Sequence, residues 1–237
     1  STIKSLKMLS KYSIFKKGLI DISPLLIPVI PFGIIFGAIG IELGFSPLIT
    51  YATSLIIFGG ASQIVFIQLL SGGASSIVAI TSVGVINSRH FLYGAVLTEY
   101  LEKLSLIKKL LISYLITDQT FAVSNKFFKS TKVKNNKHYH LIGAGITLWT
   151  TWQVTTIIGI FLGSIVPDEW GLKFAIPLTF LAIIINEFRK LDHVIVMLIS
   201  GISSLIFFDV PFKAYIIITP LIGLLSSLII IKIKESL

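Results

Sequence analysis

The chain has no cysteine, so neither a disulfide framework nor a thiolate metal site is open to it. Charge is scarce as well: 13% of residues are charged, where soluble domains carry about 25%. With 54% hydrophobic residues and a mean hydropathy of +0.92, the soluble class is excluded. The four histidines, at 90, 138, 140 and 193, make neither the H-x-x-H nor the H-E-x-x-H spacing that holds a metal on a helix. No metal and no cofactor is expected. Asp118 is the one clear acid in the middle of an apolar run, and no nucleophile elbow occurs, so the constellation an intramembrane enzyme needs is missing. The lysine-bearing start lacks a signal-peptide cleavage motif. A formal charge of +9 raises nucleic acid as a partner, but the lysines lie between apolar stretches, where membrane orientation explains them better.

What is present is apolar text from end to end, which predicts an all-α, polytopic transmembrane helix bundle. The chain divides into about eight spans: Leu19 to Ile41, Pro47 to Leu70, Ile77 to Leu97, Leu106 to Ser124, Leu141 to Val166, Leu172 to Phe188, Val194 to Phe208 and Ala214 to Ile231. The seventh has 15 residues, too few to cross ~30 Å at ~1.5 Å per residue, so seven crossings remain an alternative. Ile77 to Leu97 reads IVAITSVGVINSRHFLYGAVL and sets Asn87, Ser88, Arg89 and His90 near mid-membrane. An arginine at the bilayer centre costs about 2.5 to 3.5 kcal/mol, so such residues face a bundle interior or a wet cavity and mark a pathway. The plainer alternative is that Arg89 opens a loop, against which the apolar text resumes at once with Phe91.

Other spans are interrupted too. Span one carries Pro24, Pro28 and Pro31, then Gly33, Gly37 and Gly40, which predicts a kink or break around Pro28 to Pro31 and a glycine face for a neighbouring helix. Carbonyls freed there, with Gly33 and Gly37, are candidates to line a site, as broken helices do in transporters. Span two is broken by Gly59 and Gly60 ahead of Ala61, Ser62 and Gln63. Span four carries Asp118 and Gln119, and span five carries Trp152 and Gln153, all well inside their apolar limits. Gln63, Asn87, Arg89, His90, Asp118 and Gln153 are more polar groups than helix packing requires, and midplane polar groups on broken spans are the pattern of a secondary transporter. Arg89 is placed to pair with Asp118, and Asp118 and His90 are the candidates for carrying a coupling proton or ion.

The basic segment 126–140, with Lys126, Lys129, Lys132, Lys134, Lys137, His138 and His140, reads as a polar cytoplasmic loop joining two halves, 18–125 and 141–232, of one transporter domain. With both termini cytoplasmic, fourteen lysines and arginines fall inside and five outside, in keeping with the positive-inside rule. Phe36-Gly37-Ala38-Ile39 before Gly44-Phe45 matches Leu162-Gly163-Ser164-Ile165 before Gly171-Leu172, at offsets of 126 and 127. Duplication and the self-similarity of glycine-rich apolar text explain that match equally well.

PFGIIFGAIG at 31 to 40, GGASQ at 59 to 63, NSRHFLYG at 87 to 94, TDQTFA at 117 to 122, WQVTTIIG at 152 to 159 and PLTF at 177 to 180 stand in the order of a known family. On them the chain resembles the AzlC family of branched-chain amino acid permeases. Members usually carry glutamate after the aspartate, where this chain has Gln119. The resemblance implies a multi-pass permease of the cytoplasmic membrane that exports branched-chain amino acids and works with a small hydrophobic AzlD-type subunit. In that reading Arg89 holds the substrate carboxylate, Asn87, His90, Ser62, Gln63 and Gln153 offer polar contacts, and Trp152 meets the side chain. A non-transporting membrane assembly subunit is the rival reading, and an intramembrane enzyme a weaker one.

Overall fold

A computed structural model describes residues 10–131, 133, 135–164, 190–210 and 215–235. Spans one to five are covered except for the last residues of span five, at 165 and 166. Span six with Pro177, Asn186 and Glu187, and half of the second copy of the internal match (Ile165, Gly171 and Leu172), lie outside the described residues. Among the described residues all regular structure is helical.

The first element is α1 (Lys11–Ile22), opened by Ser10, whose hydroxyl accepts the backbone N–H of Ser13. A 3-10 turn at Ser23–Leu25 passes it into α2 (Leu26–Glu42). The irregularity therefore falls at Pro24, not around Pro28 to Pro31. Pro24 has no N–H to serve the carbonyl of Ile20, and the Ser23 hydroxyl donates to that oxygen instead, at 2.8 Å. Pro28 sits in the first turn of α2, where a donor is not needed, and α2 runs on through Pro31.

Spans two, three and four are each a pair of short helices. They are α3 (Pro47–Ile57) with α4 (Gly60–Ser71), α5 (Ser76–Asn87) with α6 (Arg89–Leu101), and α7 (Leu106–Leu115) with α8 (Asp118–Ser130). At 10 to 13 residues none of the six covers a ~30 Å hydrocarbon core alone. Then come α9 (His138–Gly163), α10 (Leu191–Ile206) and α11 (Tyr215–Glu235). Among the described residues, the continuous helix from Lys11 to Glu42 and α9 are the two long and apolar enough to cross a membrane unaided.

Those two form the spine. They pack side by side and run parallel, with Gly18 against the backbone of His140 and Ala144, Gly33 against Thr155, Gly37 against Thr156 and Ile160, and Gly163 against Ala38. Gly37 and Gly159 face each other, and a Cβ built on Gly159 would stand 2.0 Å from the carbonyl oxygen of Ile34. Gly33 and Gly37 of the glycine face are thus occupied by α9, with backbone against backbone at Gly37, while Gly40 packs against Thr50 of α3. Parallel packing puts Lys11 and His138 at one end, where the Lys11 ammonium lies 5.9 Å over the Tyr139 ring.

The basic joint is shorter than the sequence suggests. Lys126 and Lys129 are on α8, and His138 and His140 begin α9 in full burial rather than in a polar loop.

Candidate functional site

The three breaks meet at one place beside the spine. A cavity of about 440 Å3 is bounded by Pro28, Val29 and Phe32 of α2, by the break from Phe58 to Ala61, by Arg89 and His90, by Thr117 to Gln119, and by Leu148 and Trp152 of α9. Such a volume lies within the usual range for small-molecule sites, about 300 to 1,000 Å3.

Each break is held by its own side chains. Between α3 and α4, Phe58 takes a left-handed conformation at φ 40°, ψ 49°, costly for a bulky residue, and its ring packs on Tyr114 at 5.7 Å. The carbonyls freed at the end of α3 are served from outside: Tyr114 donates to Leu55 at 2.5 Å, and the Gln153 amide donates to Ser54 at 3.3 Å. At the start of α4, Gln63 accepts the N–H of Gly59 at 3.0 Å, and the Ser62 hydroxyl donates to the Gly59 carbonyl at 2.8 Å. Between α5 and α6 the Ser88 hydroxyl donates to Val85 at 2.7 Å. Between α7 and α8, Thr117 and Thr120 form a reciprocal cap, with the Thr117 N–H 2.6 Å from the Thr120 hydroxyl.

Three helices therefore begin at the cavity wall: α4 at Gly60, α6 at Arg89 and α8 at Asp118. A helix N-terminus carries roughly half a positive charge. Arg89 adds a full one at the end of its helix where a cation is least favoured. Asp118 offsets it, its Oδ2 standing 3.0 Å from Arg89 Nη1 with both side chains 43% exposed. The Tyr93 hydroxyl donates to the other oxygen of Asp118, and its ring stacks on Phe121 at 4.4 Å. Opposite lies an apolar wall in which the Trp152 ring stands 5.8 Å from Phe32 and 5.9 Å from Phe36.

Of the residues singled out in the sequence, Arg89, His90, Asp118, Trp152, Pro28, Gly59 and Gly60 line this cavity. Ser62, Gln63 and Gln153 do not: they are buried and tie the break between α3 and α4. Asn87 also stays off the wall, its amide beside Gly59 and its oxygen without a hydrogen-bond partner among the described residues. Pro31, Gly33 and Gly37 neither break a helix nor line the site, because α2 is continuous there and the two glycines are packed under α9. Thr117 and Gln119 join the lining, and Tyr93 joins through Asp118. Tyr93 was legible as the residue four positions after Arg89, on the same face of a helix.

A helical membrane protein whose interrupted helices converge on a charged cavity belongs to the transporter-like class of such folds. The chain belongs to the AzlC family: the model of that family, described as AzlC protein, matches residues 24–166. The chain is 31% identical over 208 residues to the inner membrane protein YgaZ of Escherichia coli, covering 83% of each. It is 30% identical over 203 residues to an uncharacterized membrane protein of Archaeoglobus fulgidus, covering 84% of this chain and 87% of that one. An uncharacterized membrane protein of Helicobacter pylori is 24% identical over 161 residues. No solved structure matches.

Proposed function

We propose that this chain is a multi-pass permease of the cell membrane that exports branched-chain amino acids by secondary transport, working with a small hydrophobic AzlD-type subunit. The observation that carries the reading is the half-exposed Arg89–Asp118 pair where three helix N-termini meet an aromatic and aliphatic wall. A zwitterionic amino acid carries both countercharges on one carbon. Its carboxylate replaces Asp118 at Arg89, and its ammonium takes the place of Arg89 at Asp118, so each charge keeps a partner when the pair separates. The side chain then lies against Val29, Phe32, Leu148 and Trp152. Asp118 and His90 are the groups nearest the substrate that are able to carry a coupling proton. Family membership supports the permease class, and the apolar wall supports an aliphatic side chain.

The test is uptake of labelled leucine into inverted vesicles that contain both subunits, with competitors that lack one charge. Unlabelled leucine or valine is expected to compete, whereas the corresponding 2-oxo acid and the corresponding primary amine are not. Equal competition by the oxo acid would remove the role given to Asp118, and absence of leucine flux would remove the reading as a whole.

A further inference from the structure

Outside the substrate cavity, α1, α8 and α9 each contribute one residue to a polar chain near the basic end of the spine. His140 is fully buried, with Nε2 3.0 Å from Asp21 Oδ2 and Nδ1 3.1 Å from the Ser124 hydroxyl. The Phe127 ring lies flat on the imidazole at 4.2 Å and 9°. Asp21 is partly exposed, takes the Lys17 ammonium at 3.0 Å, and borders a cavity of about 370 Å3 that Lys17, Lys126 and Ser130 also line. The chain thus has a wet end at Asp21 and a dry end at Ser124. Ser124 is buried, so although the order of residues is that of a hydrolase triad, its hydroxyl has no room for an acyl group. Apolar side chains would hold this junction at least as well as an ionisable pair does, which leaves its chemistry to be explained.

We propose that Asp21, His140 and Ser124 form a proton-binding site, separate from the Arg89–Asp118 pair, whose occupancy is transmitted to the substrate cavity through α8. Among the described residues, the charged groups facing it are Lys17 on α1 and Lys126 on α8, while Lys137, ahead of α9, is held on the Phe128 carbonyl at 2.8 Å and over the Tyr100 ring. In the empty state His140 is neutral, donates from Nε2 to the Asp21 carboxylate, and accepts the Ser124 hydroxyl at Nδ1. Taking up one proton from water makes it an imidazolium that donates from both nitrogens, so the pair with Asp21 goes from one negative charge to none. Ser124 then accepts from Nδ1, and its own hydrogen needs another acceptor. The carbonyl one turn back on α8 is that of Thr120, and a serine bonded four residues back bends its helix. Thr120 also closes the cap beneath Asp118, so the bend acts on the lining of the substrate cavity. The coupling half of this inference rests on the permease reading, and the proton-binding half does not.

Because the chain has no cysteine, spin labels can be placed at Ala122→Cys on α8 and Thr150→Cys on α9, both exposed. Their separation is measured in the full chain without substrate between about pH 5 and pH 8, the range in which histidine titrates. It is expected to change with pH and to become constant in His140→Gln, which keeps hydrogen-bonding capacity without titrating, and in Asp21→Asn. Ser124→Ala is expected to retain the titration of His140, followed by the NMR signals of its ring, but to lose the movement. A separation indifferent to pH in the parent, or a movement that persists in both His140→Gln and Asp21→Asn, overturns the proposal. In vesicles, His140→Gln is expected to keep leucine exchange while the pH dependence of net flux weakens to the part carried at Asp118 and His90. An unchanged pH dependence, or loss of exchange together with net flux, would overturn the coupling half. Absence of leucine flux in the parent would remove the permease reading and leave the pH-dependent separation to decide the proton-binding half.

Discussion

Arg89 is held at the start of α6 by one contact from Nη1 to Asp118, and that geometry separates charge from shape. Lysine keeps the charge and the offset to Asp118 but loses the planar fork that grips a carboxylate through two parallel bonds. Arg89→Lys is therefore expected to leave membrane insertion intact and to weaken substrate binding. A charge-assisted hydrogen bond contributes about 1.5 to 3 kcal/mol, which corresponds to a rise in apparent Kd of roughly ten- to a hundredfold. Leucine flux at normal Kd in Arg89→Lys would make the pair structural. Tyr93→Phe removes one of the two donors to Asp118 and is expected to weaken binding less than Arg89→Lys, read from the same uptake measurement. At this scale the sequence exposed the charged members of the site, because charge in apolar text stands out on cost alone. It did not separate residues that face the cavity from those that lie behind its wall: Gln63 and Gln153 look like His90 on paper. Only the direction of their amides, into Gly59 and Ser54, distinguishes them. Asp21 was passed over and His140 was assigned to a polar loop because each lies at the edge of an apolar run, where an ionisable residue reads as the start of a loop.

The elements divide into two kinds, an unbroken pair that forms a spine and broken pairs that form a site. The spine depends on glycine at places where a methyl group would meet backbone. Gly159→Ala would set a Cβ 2.0 Å from the Ile34 carbonyl oxygen, which has no flexible end to yield, so the helices must move apart. Overpacking of this sort costs about 1 to 3 kcal/mol. Gly84 on α5 has nothing among the described residues within 4 Å of its Cβ position, and Gly84→Ala is expected to be neutral or stabilising by about 0.5 to 1 kcal/mol through helix propensity. Thermal unfolding of the two variants in one detergent compares them, and equal melting behaviour would count against the spine as described. The sequence pointed to helices, to the break at Gly59 and Gly60, and to a close partner for the glycine face, but it read spans three and four as continuous, where the structure breaks them at Ser88 and at Ile116-Thr117. Which proline tightens the continuous helix of span one was not legible, since the 3-10 turn at Pro24 rests on the Ile20 carbonyl taking both the N–H and the hydroxyl of Ser23. Nor was the identity of α9 as the close partner, which is set by packing between residues more than a hundred positions apart.

For the whole molecule, the parallel packing of the spine sets Lys11 and His138 at one end, as the lysine count expects, but the structure overturns the rest of that count. Lys103, counted outside, lines one cavity with Lys137 and His138 at that same end, and Ser71 lies against Leu43, so span two begins and ends together rather than crossing. If α1 with α2 and α9 both cross the membrane, their starts at Lys11 and His138 share one side, and their ends at Glu42 and Gly163 share the other. The basic side chains Lys11, Lys16, Lys17, Lys126, Lys129 and Lys137 gather near the first of these ends. Positive residues flanking spans are retained in the cytoplasm, so that end is expected to face inward and Ser164, just past α9, to face outward. Asn135 and Ser164 are both exposed, and cysteine placed at either one is the only thiol in the chain. A membrane-impermeant thiol reagent added to intact cells is expected to label Ser164→Cys and to reach Asn135→Cys only after the cells are opened. Labelling of Asn135→Cys alone from outside would invert the molecule and place the Asp21–His140 cavity on the external face. Labelling of both from outside would mean that α9 does not cross at all, which would dismantle the spine as a membrane element and, with it, the argument that the three helix breaks lie at membrane depth.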